Sequence, residues 1–98
     1  MTTSSTAGLV TVRSEYSVAV TVDRLAAAVV EAGLKVFARI DHAAGAAEAG
    51  VALRPTELLL FGHARGGTPL MQIQQTAGID LPVKALAWED IEGAVWLT

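Results

Sequence analysis

The chain has 98 residues, of which 52% are hydrophobic and 17% are charged, and it contains no cysteine. This length fits one domain with a single core, and the hydrophobic content excludes a chain that stays unfolded in water. The lack of cysteine excludes disulfides, thiolate nucleophiles and cysteine-ligated metals, and a net charge of −3 disfavours nucleic acid and anionic membranes as partners.

The first residues, 1–7, are small and mostly polar, and we expect a flexible tail ahead of a single domain over residues 8–98. The tail has neither the basic segment nor the apolar segment of a secretory signal. No apolar run approaches the ~20 residues that span a bilayer. The sequence therefore predicts a cytoplasmic protein with no membrane partner.

Alternating apolar and polar residues predict the first two strands, one near residues 9–14 and one over 34–40. Between them, the hydroxyl of Thr21 is placed to cap a helix over 22–32. After the second strand, Asp41 can cap a short alanine-rich helix, because alanine has the highest helix propensity.

An almost wholly apolar run over residues 57–62 predicts a central strand that is buried on both faces. A flexible, glycine-containing loop over 63–67 is expected to follow it. Thr68 then offers a capping hydroxyl directly before Pro69, a residue favoured in the first turn of a helix, which predicts a helix over 69–77.

The last two strands are predicted over residues 83–89 and 94–97, joined as a hairpin whose acidic tip is solvated. The predicted order is β-α-β-α-β-α-β-β. We expect an α+β domain with a mixed or antiparallel sheet of about five strands and helices packed on one face. The other face would be left open, and a homodimer formed through that face or along a sheet edge is expected to hide it. Trp88 and Trp96 lie in the C-terminal hairpin, which is available for such contact.

The segment from Gly62 to Thr68 joins a buried strand to a helix start, where backbone N–H groups lack helical partners. Glycines allow a ligand to approach the backbone closely, and Arg65 and His63 add side-chain donors. A small anionic ligand is expected here, although the spacing matches no nucleotide-binding loop. Alternatively, the glycines only turn the chain. The candidate ligand-binding residues in this segment are Gly62, His63, Arg65, Gly66, Gly67 and Thr68.

A second pair of candidate residues, Asp41 and His42, ends the second strand. If the second and third strands are neighbours, we expect His42 to lie near His63 and both segments to border one cleft. The spacing of these residues matches no known metal-ligand pattern, so neither a metal nor a cofactor is predicted. Alternatively, His42 only forms hydrogen bonds with the backbone at a helix start.

The leading interpretation is a homodimeric protein that binds a small anion or metabolite. One alternative is a hydrolase-like enzyme with His42 as general base, oriented by Asp41. Another is a purely structural or interaction module. The residues leave open whether the protein is an enzyme.

Several short blocks in fixed order carry a family resemblance over almost the whole chain, roughly residues 10–97. The blocks are Gly33–Phe37, Ile40–His42, Leu53–Thr56, Leu60–Gly62, Gly67–Met71, Asp80–Pro82 and Trp88–Asp90 with Gly93. In these blocks the chain resembles the domain of unknown function 302 family, which implies a TATA-binding-protein-like α+β fold, often dimeric, with no established activity. His63-Ala64 stands where that family usually has Asn-Pro, whereas Asp41 and His42 match its pattern.

Overall fold

A computed structural model describes residues 3–6 and 9–98 of the chain. The domain is α+β, and from β2 onward the order of strands and α-helices is the predicted one. A short 3₁₀ helix lies between α3 and β5. The elements are β1 (Thr3–Thr6), β2 (Leu9–Ser14), α1 (Val18–Glu31), β3 (Lys35–Asp41), α2 (His42–Glu48), β4 (Thr56–Gly62), α3 (Ala64–Ile73), the 3₁₀ helix (Gln75–Asp80), β5 (Val83–Glu89) and β6 (Val95–Leu97).

All six strands pair antiparallel in one sheet, in the order β1-β2-β6-β5-β4-β3. The five strands β2 to β6 are the predicted ones. In addition, Thr3–Thr6 pairs with β2 as strand β1, within the segment where the sequence predicts a flexible tail. Met1, Thr2 and Ala7 of that tail lie outside the described residues, and its flexibility stays a prediction.

Helix α1 covers one face of the sheet and forms the core with it. Successive side chains of a strand point to opposite faces, so Leu59 of β4 and Ala87 of β5 face α1, and both are fully buried. Helix α2 lies beside the end of the sheet where β4 begins, and α3 lies beside the end where β4 finishes. The buried apolar residues are Val18, Val22, Val29, Leu59, Ala87 and Val95.

The opposite side of the sheet, which we call the open face, is covered by no helix in the described part of the chain. It is built from the alternate positions of the same strands. The indoles of Trp88 and Trp96 stack there with ring centroids 6.4 Å apart, and the guanidinium of Arg13 lies 5.5 Å from the Trp96 ring centre. The apolar side chains of the open face are Ala38, Ile40, Leu58, Leu60, Leu86, Trp88 and Trp96.

Helix α1 begins one turn earlier than predicted. Ser17, not Thr21, is its N-cap, and the Ser17 hydroxyl accepts a hydrogen bond from the Val20 amide at 3.2 Å. The buried Thr21 hydroxyl instead donates to the Ser17 carbonyl at 2.7 Å. Either hydroxyl is a suitable cap, and the burial of Val18 and Thr21 against the sheet favours the longer helix.

The hairpin between β5 and β6 is held by Asp90, for which the sequence predicted only a solvated position. One of its carboxylate oxygens accepts from the amides of Glu92 and Ala94, each at 2.9 Å, and the other accepts from the Trp96 indole N–H at 2.8 Å. The bond from Trp96 is the main cause that lowers the pKa of Asp90 below its usual range. Asp90 is therefore a turn-forming residue that fixes the Trp96 ring.

Candidate functional site

The two predicted site segments lie at opposite ends of the β3–β4 pair. In this antiparallel pair Asp41 is opposite Glu57, whereas Lys35 is opposite Gly62. His63 follows Gly62, so six strand residues, or roughly 20 Å, separate it from the end of β3 where His42 begins α2. The prediction of one cleft shared by His42 and His63 is wrong, because the two strands run antiparallel and their polar ends do not meet.

The residues at the first end, Asp41 and His42, have a helix-capping geometry. The Asp41 carboxylate accepts from the Ala44 amide at 2.9 Å, which confirms it as the N-cap of α2. His42 is the exposed first residue of that helix. Among the side-chain contacts of the described residues, no hydrogen bond joins Asp41 to His42. The geometry of a general base oriented by this carboxylate is therefore not formed.

The segment after Gly62 is helical rather than a flexible loop. The His63 imidazole caps α3, with its Nδ1 accepting from the Arg65 amide at 3.0 Å. The helix therefore begins five residues before Pro69, which lies inside it. The prediction of a loop over 63–67 and a helix from Pro69 is wrong because histidine, a less usual cap, takes the place expected for Thr68.

The early amides of α3 already have partners, which changes the chemistry expected of this helix start. The amides of Gly66 and Gly67 both donate to the His63 carbonyl, at 2.9 and 3.1 Å, and the Arg65 amide donates to the His63 ring. A bound anion would have to displace these contacts to reach the amides. The local geometry gives no ready site for a bare inorganic anion.

An apolar pocket of 490 Å³ lies between α3, the 3₁₀ helix and the end of the sheet. Its volume is within the range of small-molecule sites, which are mostly apolar with a few polar groups. Among the wall residues whose side chains the structure describes, those with polar side chains are His63 and Thr68. The wall is formed by Leu34, Phe37, Phe61, Gly62, His63, Gly66, Gly67, Thr68, Met71, Gly78, Leu81, Pro82 and Val83.

Sequence reasoning found the polar part of this wall and missed the apolar part. Gly62, His63, Gly66, Gly67 and Thr68 all line the pocket, whereas Arg65 does not. The missed apolar residues come from four separate segments, and an apolar residue at strand spacing looks the same whether it faces a core or a pocket. A β-bulge between Val36 and Ala38 interrupts the alternation of β3, and no sequence signal marks it.

The chemistry of His63 follows from its capping role. Because Nδ1 accepts a hydrogen bond from a backbone amide, the neutral ring carries its proton on Nε2. His63 is exposed and lines the pocket, so Nε2–H is available to a ligand with a hydrogen-bond acceptor. The pocket thus combines an apolar wall with one imidazole donor.

A second hollow, of 380 Å³, lies at the other end of the sheet and is bordered by Asp41, Glu57 and Glu89. Glu57 is nearly buried, and its carboxylate accepts from Arg39 Nε at 2.8 Å. This bond, followed by the one to Asp23, raises the pKa of Arg39 further above its ordinary value. Within residues 3–6 and 9–98, no group of three or more histidine or acidic residues could hold a metal ion.

The fold and pocket together define a small α+β domain with one helix-covered sheet face, one open face and an apolar pocket at the sheet end. The chain belongs to the DUF302 family, a domain of unknown function, whose model matches residues 10–98. A crystal structure of an uncharacterised DUF302 protein from Bacillus stearothermophilus superimposes with a TM-score of 0.80 at 18% identity, covering 89% of this chain and 68% of that one. This likeness confirms the fold.

Curated relatives come from Brucella. The chain is 58% identical over 91 residues to a protein of Brucella suis biovar 1 named fluoride-specific ion channel FluC 1, covering 93% of this chain and 36% of that protein. The chain is also 58% identical over 91 residues to a protein of Brucella melitensis biotype 1 named fluoride-specific ion channel FluC 2, and this match covers 34% of that protein. The chain thus spans about a third of these relatives. In the described part of this chain, no helix is long and apolar enough to cross a membrane.

Proposed function

We propose that this chain is a cytoplasmic, homodimeric domain that binds a small ligand with an apolar body and one hydrogen-bond acceptor, such as a carboxylate. The observation that carries the proposal is the 490 Å³ pocket, whose described wall residues are apolar or glycine except for His63 and Thr68. An apolar ring or chain would contact Phe37, Phe61 and Val83, and its acceptor would accept a hydrogen bond from His63 Nε2–H.

This ligand differs from the bare anion that the sequence favoured. Burial of apolar surface supplies most of the affinity in such a pocket, and a single donor orients the ligand. Inorganic phosphate or sulfate has no apolar surface to bury, and the α3 amides that would hold it have partners within the chain. A carboxylate with an aromatic or aliphatic body keeps the expected negative charge and fits the observed wall.

The first test is calorimetric titration of the purified chain with 1-naphthoate. We expect binding that Val83→Trp weakens at least about tenfold, or ~1.4 kcal/mol, because the larger side chain occupies the pocket. Ile40→Trp, the matched change on the open face, should leave the affinity unchanged. His63→Ala should weaken 1-naphthoate more than the neutral 1-naphthamide.

Two results would contradict the proposal. One is equal binding of 1-naphthoate to the chain and to the Val83→Trp variant, because the ligand would then lie elsewhere. The other is a rise in melting temperature with phosphate or sulfate alone, which would place an anion at the start of α3 instead.

The Brucella relatives favour a second role, as a domain that works beside a fluoride channel. The specific observation is 58% identity along 93% of this chain to part of a protein with that name. Because the domain matches part of a protein named as a channel, we expect it to contact a channel of that kind.

This role is tested with lipid vesicles that hold the remainder of the Brucella suis relative, without its DUF302 segment. The purified chain should sediment with these vesicles and not with empty vesicles of the same lipids. Equal sedimentation with both, or with neither, would remove the role and leave the pocket proposal intact.

A further inference from the structure

The charged side chains of β3, β4 and β5 are divided between the two ends of the sheet. Lys35 begins β3 at the end that borders the 490 Å³ pocket, and Lys84 lies near the start of β5 at the same end. Arg39 lies toward the other end, where its charge is balanced by its pairs with Glu57 and Asp23. The pocket end of these strands is therefore positive and the other end is acidic. The acidic strand residues at that other end are Asp41, Glu57 and Glu89.

Lys35 lies beside the wall of the pocket. It is opposite Gly62 in the β3–β4 pair, and the Cα atoms of opposite residues in an antiparallel pair are about 4.5–5.5 Å apart. Gly62 and His63, which follows it, both line the pocket. The Lys35 ammonium lies 5.9 Å from the centre of the Phe37 ring, another part of the wall. A Cβ atom added at Gly62 would lie 3.7 Å from Cε2 of that same ring. These contacts place the Lys35 ammonium at the mouth of the pocket.

The Lys35 ammonium is available to a ligand. Lys35 is exposed, and the Phe37 residue beneath its ammonium is 47% exposed. Both ion pairs among the described side chains belong to Arg39, so no described carboxylate balances the charge of Lys35. An ammonium at this distance is weakly attracted to the face of an aromatic ring. The attraction keeps the ammonium beside the mouth and leaves its N–H donors in contact with water.

The physical chemistry of a carboxylate sets how such a ligand would enter. Burial of an unpaired charge among apolar side chains is strongly unfavourable, so the carboxylate has to stay outside the apolar wall. A hydrogen bond from an ammonium to a carboxylate is about twice as strong as one between neutral groups. Lys35 and the imidazole of His63 are both exposed on this side of the pocket. The apolar body therefore enters first, and the carboxylate remains at the mouth.

We propose that Lys35 is the specificity-determining residue of the pocket, and that its ammonium pairs with the carboxylate of a ligand whose apolar body fills the cavity. The ligand class is a monocarboxylate with an aromatic or aliphatic body, and neutral analogues bind less tightly. Lys35 takes the role that the sequence predicts for Arg65, which does not line the pocket. This inference rests on the proposed ligand site and adds the charge that selects among its ligands.

The test compares 1-naphthoate with neutral 1-naphthamide by calorimetric titration, at about 20 mM and about 300 mM sodium chloride. The unchanged chain should bind 1-naphthoate more tightly, and its preference should shrink at the higher salt because ions screen an exposed pair. Lys35→Met keeps an apolar stem over Phe37 and removes the charge. It should weaken 1-naphthoate about fivefold at low salt and leave 1-naphthamide within about twofold. Lys35→Arg should retain the preference for 1-naphthoate.

Three further variants locate the charge. Arg24→Met removes a cation whose guanidinium lies 4.4 Å from the Tyr16 ring centre, next to the second hollow at the other end of the sheet, and should leave both affinities unchanged. Lys84→Met removes the other strand cation of the pocket end and should change the 1-naphthoate affinity by less than about twofold. His63→Ala removes a donor that is neutral in the free ring, so the salt dependence should remain. Circular dichroism checks that each variant is folded.

The outcomes separate this inference from the proposed function. If Lys35→Met binds 1-naphthoate as tightly as the unchanged chain, or if Lys84→Met removes the salt dependence instead, Lys35 is not the selecting charge. The pocket proposal then stands as long as Val83→Trp still weakens binding. An equal loss of 1-naphthoate and 1-naphthamide affinity in Lys35→Met would also overturn the inference, because the side chain would then only cover Phe37. A lack of 1-naphthoate binding to the unchanged chain would overturn both proposals.

Discussion

Leu59→Ala should lower the free energy of unfolding by about 3 kcal/mol, the largest loss expected from a single truncation in this core. Leu59 has no exposed surface, and it lies in the middle of β4, a strand with a neighbour on each side. Its side chain faces the buried side of α1, where Val22 is also almost fully buried. Truncation removes apolar contacts and leaves a cavity that the surrounding strands and helix cannot fill.

The measurement is urea unfolding of the variant and the unchanged chain. For a domain of this size the expected loss corresponds to a fall in melting temperature of roughly 15 °C. Ile91→Ala is the control, since Ile91 is 84% exposed at the hairpin tip, and its effect should stay within about 0.5 kcal/mol. If the two variants lose the same stability, Leu59 is not the centre of the core.

The sequence predicts this core position for a simple reason. An apolar run bounded by turn residues is typical of a central strand, and β4 over Thr56–Gly62 occupies the predicted place. The prediction that this strand is buried on both faces is wrong, because Leu58 and Leu60 lie half-buried on the open face, which no described helix covers. Local signals also predict α2 with its Asp41 cap and the range of β5. The position of each of these elements depends on residues that are close together along the chain. A single sequence is therefore enough to predict them.

The features that the sequence could not predict depend on distant pairs. The antiparallel order of β3 and β4 separates His42 from His63, and no local pattern specifies which way a strand runs beside its partner. The pocket likewise joins Leu34, Phe61 and Leu81 from segments far apart in the chain. The candidate residues found in the sequence therefore identify the polar part of the pocket wall. The apolar part of the wall is visible only in the structure.

The Arg39 ion-pair network is the second place where a single change should have a large effect. Arg39 of the edge strand β3 donates from Nε to Glu57 at 2.8 Å, from Nη1 to Asp23 at 2.6 Å and from Nη2 to the Ala19 carbonyl at 3.2 Å. It thus links β3 to both β4 and α1. The Glu57 side chain is only 11% exposed, so its carboxylate depends on this partner.

Arg39→Met should destabilise the domain by about 2 kcal/mol at neutral pH, because it leaves the Glu57 carboxylate nearly buried without its partner. The value is below that for a fully buried pair because the Arg39 side chain is 34% exposed and partly screened by water. Asp23→Asn, the control, removes only the pair with a 63% exposed carboxylate and should cost less than about 1 kcal/mol.

Adding Glu57→Gln to Arg39→Met should restore part of the stability, since no unpaired charge then remains. Urea unfolding at neutral pH measures each value, and an Arg39→Met deficit no larger than that of Asp23→Asn would show that the buried pair does not hold β3 in place.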